Sequence, residues 1–335
     1  MDPKKRHYIL FIHRIPINLR HSKTKILKIF NSIQDFKTTS GTIVTLGTFD
    51  GVHIGHRKII ERLIQNKDPN TESLVLTFFP HPRMVLQGDS EIKLLNTIDE
   101  KAFLLEKNGL DNLVIHPFDQ AFSRLTAEEF VKNILVDIFK IKKIIIGHDH
   151  RFGRNRTANI DDLIVFGAQY DFEVEQISPQ EIDEVSVSST KIRNSLLEGN
   201  VELANSYLGY DYFLTGTVVK GKQLGRTLGF PTANISIKEN YKLVPHIGVY
   251  VVSSVVNDKV IFGMMNIGFN PTVNGQHQTI EVHYFDLNEN LYDKEITVYI
   301  LHRIRPEQKF ESIEKLKKQL AQDKITSLEF IKKKK

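Results

Sequence analysis

Short apolar runs rich in β-branched residues alternate with stretches of helical periodicity from residue 43 to about 177. Runs at 43–46, 74–78, 113–116, 144–146 and 172–177 read as strands, most of them nearly continuous in apolar residues, as strands covered on both faces are. The spacing between them predicts helices near 54–66, 98–108, 122–140 and 160–170. In the third of these, Thr126 and Glu129 form a capping box, and Phe130, Ile134 and Ile138 follow every fourth residue. Alternating strand and helix predicts a parallel sheet with helices on both faces, whose ligands bind past the carboxyl ends of the strands. Two short helices follow, one capped by Ser188 or Ser189 and ended by Gly199, the other over 201–208 and ended by Gly209. After them the pattern changes to successive strand-like runs at 212–219, 248–256, 260–266, 280–287 and 295–302. Asn257-Asp258 and Asn288-Glu289-Asn290 read as hairpin turns, so this half predicts an antiparallel sheet closing into a small barrel. A helix with apolar Ile313, Leu316 and Leu320 is expected on the barrel's outside or mouth.

At 335 residues the chain suits two domains, and its 41% apolar content can build ordinary cores. Lys+Arg 45 against Asp+Glu 40 leaves +5, compatible with anionic ligands and too small an excess to argue for nucleic acid. With no cysteine, disulfides, thiolate metal sites and cysteine nucleophiles are excluded. No apolar stretch approaches the roughly 18 residues of a membrane span. Lys4-Lys5-Arg6 before the apolar residues 8–12 loosely resembles a signal peptide, but His13, Arg14 and Pro16 interrupt it and no small-residue cleavage site follows. Residues 1–25 are expected to be a disordered basic extension, residues 331–335 a solvated lysine tail, and the cytoplasm the compartment.

The chemistry gathers in loops after strands. Gly47-Thr-Phe-Asp-Gly-Val-His-Ile-Gly-His56 is a glycine-rich turn leading from a strand into a helix that begins near His53. Gly47 and Gly51 allow a sharp turn, the helix N-terminus favours an anion, and His53 and His56 lie three apart on one face. This is not a P-loop, since no G-x-x-x-x-G-K-[ST] occurs. Phe79-Pro80-His81-Pro82-Arg83 follows the second strand and is equally readable as a turn. Gly147-His-Asp-His-Arg-Phe-Gly-Arg-Asn-Arg156 follows the fourth; its arginines, with His148, Asp149 and His150, suit an anion, whereas adjacent residues point apart and make a poor metal site. Thr190 and Arg193 share one face of the helix that Ser188 or Ser189 caps, suited to a second phosphate contact. In the second half, Gly221-Lys-Gln-Leu-Gly-Arg-Thr-Leu-Gly-Phe-Pro-Thr-Ala-Asn234 offers a backbone able to approach phosphates, with charge from Lys222 and Arg226. Thr232 and Asn234 are two apart, so on a strand they point the same way and offer the oxygen ligands Mg²⁺ prefers. By pattern alone Glu281 is a solvent-facing strand residue between apolar Ile280 and Val282, and Arg305 either contacts phosphate or another bound ligand or pairs with Glu307.

Residues 47–56 resemble the signature of the nucleotidylyltransferase superfamily. Class I aminoacyl-tRNA synthetases share the His-Ile-Gly-His element, but their Lys-Met-Ser-Lys-Ser segment is missing here. Together with 79–82, 147–153 and 188–193, in that order, the pieces resemble the FMN adenylyltransferase (FAD synthetase) module of bacterial bifunctional flavin enzymes; His150 and Ala158 depart from the aromatic residue and glycine usual there. Residues 221–234 resemble the riboflavin kinase signature, and 263–272, 281–286 and 303–310 match later segments of that family.

The resemblance covers roughly residues 27–325 and implies an α/β plus β chain. A Rossmann-like nucleotidylyltransferase domain with a parallel sheet (26–186) and a helical linker (187–209) would precede a riboflavin kinase-like antiparallel β-barrel of six-stranded type with a C-terminal helix (210–330). The implied activities are phosphorylation of riboflavin by ATP and adenylylation of the resulting FMN to FAD, with Mg²⁺. Carried over residue by residue, His53, His56, Arg193 and Glu281 are catalytic, Glu281 as general base. Gly47, Phe49, Asp50, Gly51, Gly55, Gly147, Asp149, Arg151, Ser189, Thr190, Gly221, Lys222, Gly225, Arg226 and Gly229 bind ATP or phosphate. Pro80, His81, Pro82, Arg305 and Glu307 bind flavin, and Thr232 and Asn234 hold the metal. A flavin-sensing regulator without turnover is the rival reading, and it would be expected to have lost Glu281 or the histidine pair.

Overall fold

The computed structural model describes residues 26–86, 91–147, 151–178, 187–221, 223–272 and 275–334. The expected basic extension 1–25, and His148, Asp149, His150 and Lys222 among the candidate residues, lie outside them. The chain divides into two compact units, with the break between Ser189 and Thr190.

The first unit runs β1 (Lys28–Phe30), β2 (Gly41–Leu46), α1 (Ile54–Gln65), β3 (Thr71–Phe78), α2 (Pro82–Leu86), α3 (Ile98–Lys107), β4 (Asn112–His116), α4 (Gln120–Ser123), α5 (Ala127–Phe130), β5 (Ile141–Gly147), α6 (Ile160–Tyr170) and β6 (Glu173–Ile177). Its six strands form one parallel sheet in the order β1-β4-β3-β2-β5-β6. Val44, Leu74, Leu76, Val114 and Ile144 are fully buried, as strands covered on both faces require. From β2 the chain lays β3 and β4 to one side and β5 and β6 to the other. That reversal opens a crevice beyond the carboxyl ends of β2 and β5, where the sheet of this class binds ligands.

Two expectations for this unit are corrected. The edge strand β1 has no counterpart among the expected strands: it is three residues long with Lys28 in its apolar run and Ile29 exposed, and its pairing with β4 defines it. The single helix expected over 122–140 is broken. Asp119 caps α4, Thr126 starts α5 with both halves of its capping box made, and a π-helical turn occupies Val131–Val136. Phe139 N–H bonds Ile134 O at 2.9 Å in that wider turn, which buries Val131, Leu135 and Phe139 along with Phe130.

The second unit carries α7 (Ser189–Leu197) from Thr190 onward, α8 (Val201–Leu208), β7 (Phe213–Val219), α9 (Leu224–Thr227), β8 (Ala233–Ser236), β9 (Gly248–Val256), β10 (Lys259–Thr272), β11 (Gly275–Tyr284), β12 (Glu295–Arg305) and α10 (Ile313–Lys334). Its strands close into an antiparallel barrel, β10-β11-β8-β7-β12-β9. Asn257 and Asp258 have φ of 48° and 61°, the left-handed pair of a tight hairpin turn between β9 and β10. The segment read as a linker packs into this unit: Ile192, Leu196, Val201, Ala204 and Leu208 are fully buried, and Asn205 Nδ2 bonds Ile300 O at 2.9 Å.

The C-terminal helix differs from its expected stripe. Ile313 is 59% exposed, Leu320 packs as expected against the barrel cluster, and the buried positions are Asp323, Ser327 and Ile331. Ile331 joins Val251, Met264, Phe285 and Leu301 in a core cluster, so the helix continues through Lys334 where a loose lysine tail was expected.

Candidate active sites

At the carboxyl end of β2, Gly47 N–H still bonds Leu76 O at 3.0 Å, and then the chain turns through Phe49, Gly51 and Val52 at φ of 46°, 87° and 36°. Glycine takes this region freely; for phenylalanine and β-branched valine it stores about 1–3 kcal/mol each and persists only where the surroundings over-determine it. The loop is held from several sides. Buried Asp50 accepts the N–H groups of Leu95 at 2.8 Å and Asn96 at 3.4 Å. Ser189 Oγ donates to Asp50 O at 2.9 Å. Thr48 O accepts Lys101 Nζ at 2.8 Å and Thr77 Oγ1 at 3.2 Å.

His53 is the N-cap of α1, and its Nδ1 accepts the backbone N–H of His56 at 3.4 Å. The two imidazoles stack with centroids 3.7 Å apart, and the Phe49 ring lies 4.9 Å from that of His56. Burial pushes His53 down to about 4, and pushes His56 well below the usual imidazole range, helped by the neighbouring His53 and by the Lys101 charge. Both rings are therefore neutral near neutral pH. Because His53 Nδ1 is an acceptor, its proton sits on Nε2, leaving an N–H donor beside the helix N-terminus. Gly55, the second residue of α1, is buried.

The sign of the resulting pH dependence follows. Between about 6.5 and about 4 the unfolded chain takes up a proton at His53 that the folded chain refuses. Stability is therefore present above about 6.5 and is lost as pH falls through that window. Urea midpoints of this unit should drop between about pH 7 and about pH 5, and the drop should shrink in His53→Gln. Equal pH dependence in the two proteins would contradict the neutral buried ring.

The remaining candidates of this unit sit at the same sheet edge. The Phe79–Pro80 bond is cis, Pro82 opens α2, and His81 Nδ1 accepts Arg83 N–H at 3.2 Å, so the segment is a turn into a helix as well as a candidate flavin contact. Gly147 ends β5, and Arg151 is exposed. Phe152 is 6% exposed in the core and makes a two-bond bridge with Ala158, so the aromatic residue of this loop anchors it. Thr190 and Arg193 lie on α7, in the second unit.

In the barrel, Gly221, Thr232, Asn234 and Glu281 converge. A Cβ on Gly221 would stand 2.2 Å from Asn234 Nδ2, so only glycine lets the loop lie against that side chain. A Cβ on Gly225 would stand 2.3 Å from Phe230 O, and Gly229, at φ 83°, completes the turn that includes Arg226. Glu281 on β11 pairs with Asn234 on β8 and with Asn266 on β10. Thr232 Oγ1 donates to Glu281 Oε2 at 3.2 Å. A hydroxyl, an amide carbonyl and a carboxylate thus meet at one place, a hard-oxygen set that fits Mg²⁺.

Glu307 closes over the same region: a Cβ on Gly268 would stand 2.1 Å from Glu307 Oε1 and 3.0 Å from Asn266 Nδ2. Arg305 does not pair with Glu307. Its guanidinium grips Asp323 of α10, with Nε at 2.9 Å and Nη2 at 2.7 Å, and lies 5.8 Å from the Phe310 ring. Asp323, Asn266 and Lys101 were missed by sequence reasoning. Lys101 and Asp323 sit on helices away from the glycine-rich and charged loops, and Asn266 lies on a strand within the matched segment 263–272, where no single residue was singled out.

Two family models divide the chain between these centres: FAD synthetase matches residues 35–191 and riboflavin kinase matches residues 208–331. A bifunctional riboflavin kinase/FMN adenylyltransferase from Buchnera aphidicola (Schizaphis graminum) is 39% identical over 303 residues, 89% of this chain and 96% of the relative. The bifunctional riboflavin kinase/FMN adenylyltransferase of Escherichia coli K12 is 37% identical over 292 residues, 87% of this chain and 93% of the relative. The chain belongs to the bifunctional riboflavin kinase/FMN adenylyltransferase family. It phosphorylates riboflavin with ATP to FMN, and transfers AMP from a second ATP to FMN to give FAD and pyrophosphate. A solved structure titled as a macrolide-efflux protein from Streptococcus pneumoniae superposes with TM-score 0.82 at 31% identity, covering 90% of this chain and 98% of that one. Among the described residues of this family member, no helix is long and apolar enough to cross a membrane.

Proposed function

We propose that the barrel residues Thr232, Asn234 and Glu281 run the riboflavin kinase step and that the loop of Gly47, Phe49, Asp50, Gly51, His53, Gly55 and His56 runs FMN adenylylation. The observation that supports the first assignment is the 3.2 Å bond from Thr232 Oγ1 to Glu281 Oε2 beside Asn234. Thr232 and Asn234 supply oxygen ligands to Mg²⁺, which when bound offsets charge on the transferred phosphoryl group. Glu281 orients the riboflavin 5′-hydroxyl and accepts its proton. Gly221, Lys222, Gly225, Arg226 and Gly229 admit the ATP phosphates, and Arg305 and Glu307 border the flavin.

In adenylylation the attacking FMN phosphate is already anionic and needs no strong base. The task is to hold two repelling anions together and neutralise charge at the α-phosphate. Neutral His53 and His56 do this as N–H donors beside the N-terminus of α1. Ser189, Thr190 and Arg193, with Gly147, Asp149 and Arg151, are assigned to ATP by the family resemblance, and Pro80, His81 and Pro82 to FMN. The cytoplasm, where ATP is made and used, is the proposed compartment.

The test is a time course with riboflavin and ATP, with and without Mg²⁺, the flavins being separated by chromatography. FMN rises first and FAD follows, and chelating the metal stops the chain at riboflavin. FMN formed equally well with and without the metal would overturn the assignment of Thr232 and Asn234 to Mg²⁺.

A further inference from the structure

The loop bearing Phe49 and Val52 in left-handed geometry needs an external brace, and the brace comes from β3 and the start of α3. Thr97 caps α3 and Glu100 completes its capping box. Lys101 N–H then bonds Thr97 O at 3.0 Å, which fixes where the next side chain points. That side chain runs inward. Lys101 is 4% exposed, and its Nζ donates to Thr48 O at 2.8 Å and approaches Thr77 Oγ1 at 3.4 Å. A buried ammonium is costly to the fold, so this position is an expensive way merely to fill space.

We propose that Lys101 is a positioning residue for FMN adenylylation, clamping the Thr48 carbonyl against Thr77 and so holding Phe49 and the His53–His56 pair in working geometry. The inference rests on the assignment of that pair to the adenylyl transfer. The charge matters with the hydrogen bonds. The groups facing this corner are Asp50 on the loop, His53 at the cap, His56 and Arg57 on α1, and Lys101 on α3. With both imidazoles neutral, the field of the Lys101 and Arg57 charges favours incoming phosphates, opposed by the Asp50 carboxylate. Burial lowers Lys101 to about 8 against the opposing pull of Asp50, so the field fades as pH rises through that value.

Lys101→Met keeps the length and apolar stem and removes the clamp. FAD formation from supplied FMN should lose at least about tenfold in kcat while KM for ATP moves less than about threefold. FMN formation from riboflavin should be unchanged, and the decline of FAD formation above about pH 8 in the unaltered protein should be absent from the variant. A merely structural lysine would change the folded fraction and leave that alkaline limb in place. If Lys101→Met does not fold, Thr77→Val decides: it is isosteric, removes the second donor to Thr48 O, and should lower kcat at least about threefold. A folded Lys101→Met, or in its place Thr77→Val, with FAD turnover within about twofold of the parent overturns the proposal. His53→Ala is the control: if it too is silent, the assignment of the histidine pair has failed along with the clamp; if it stops FAD formation, only the clamp has failed.

Discussion

His53→Ala should leave the protein converting riboflavin to FMN and stop it there. In the proposed assignment the lost imidazole is a donor placed where charge develops, and removing one such donor costs about 10²–10³ in turnover. It is also the N-cap of α1, worth about 1 kcal/mol, which the unit should survive. His53→Asn separates the two roles, because asparagine restores the cap without restoring the stacked ring. Chromatography of the flavins after incubation with riboflavin and ATP gives the readout. FMN accumulation in both variants, with near-parental thermal stability in His53→Asn, is expected. FAD appearing at more than about half the parental rate in either variant would remove His53 from the chemistry.

Glu281→Gln should abolish the earlier step and spare the later one. Glutamine keeps the size and an oxygen that can accept from Thr232, and it cannot take a proton. Loss of a positioned general base costs about 10²–10⁴. FMN formation should fall by that amount, while FAD formation from supplied FMN continues. The two variants are therefore complementary: mixed in one tube with riboflavin and ATP, each should make what the other lacks, and FAD should reappear. A Glu281→Gln protein that still forms FMN at more than about a tenth of the parental rate would mean that the carboxylate only shapes the site.

Much of this was legible along the chain, for identifiable reasons. The buried parallel strands β2 to β5 advertise themselves because both of their faces are covered, so their apolar runs are nearly continuous. The histidine pair was legible because it sits in a loop between a strand and a helix, where glycines and polar residues have no core to pack. What escaped reading depends on partners distant in sequence. β1 is a strand only because Lys28–Phe30 has β4 to pair with. β8 is four residues long and is defined by its places beside β7 and β11. The break over 119–136 arises from two competing caps and a π-turn chosen by core packing.

By itself, then, the sequence determined the two architectures, their order, the positions of both chemical loops, and the family. Periodicity, caps and glycine placement are local properties that a linear chain displays. Only the tertiary structure decided which charges act together. Asp323 reaches Arg305 across 18 residues and is a partner that neither expectation, a phosphate or flavin contact or a Glu307 pair, contained. Lys101 reaches Thr48 across 53 residues, from a helix that carries none of the candidate residues. Burial, which no residue carries in its own identity, makes His53 and His56 neutral donors where spacing alone would allow cations.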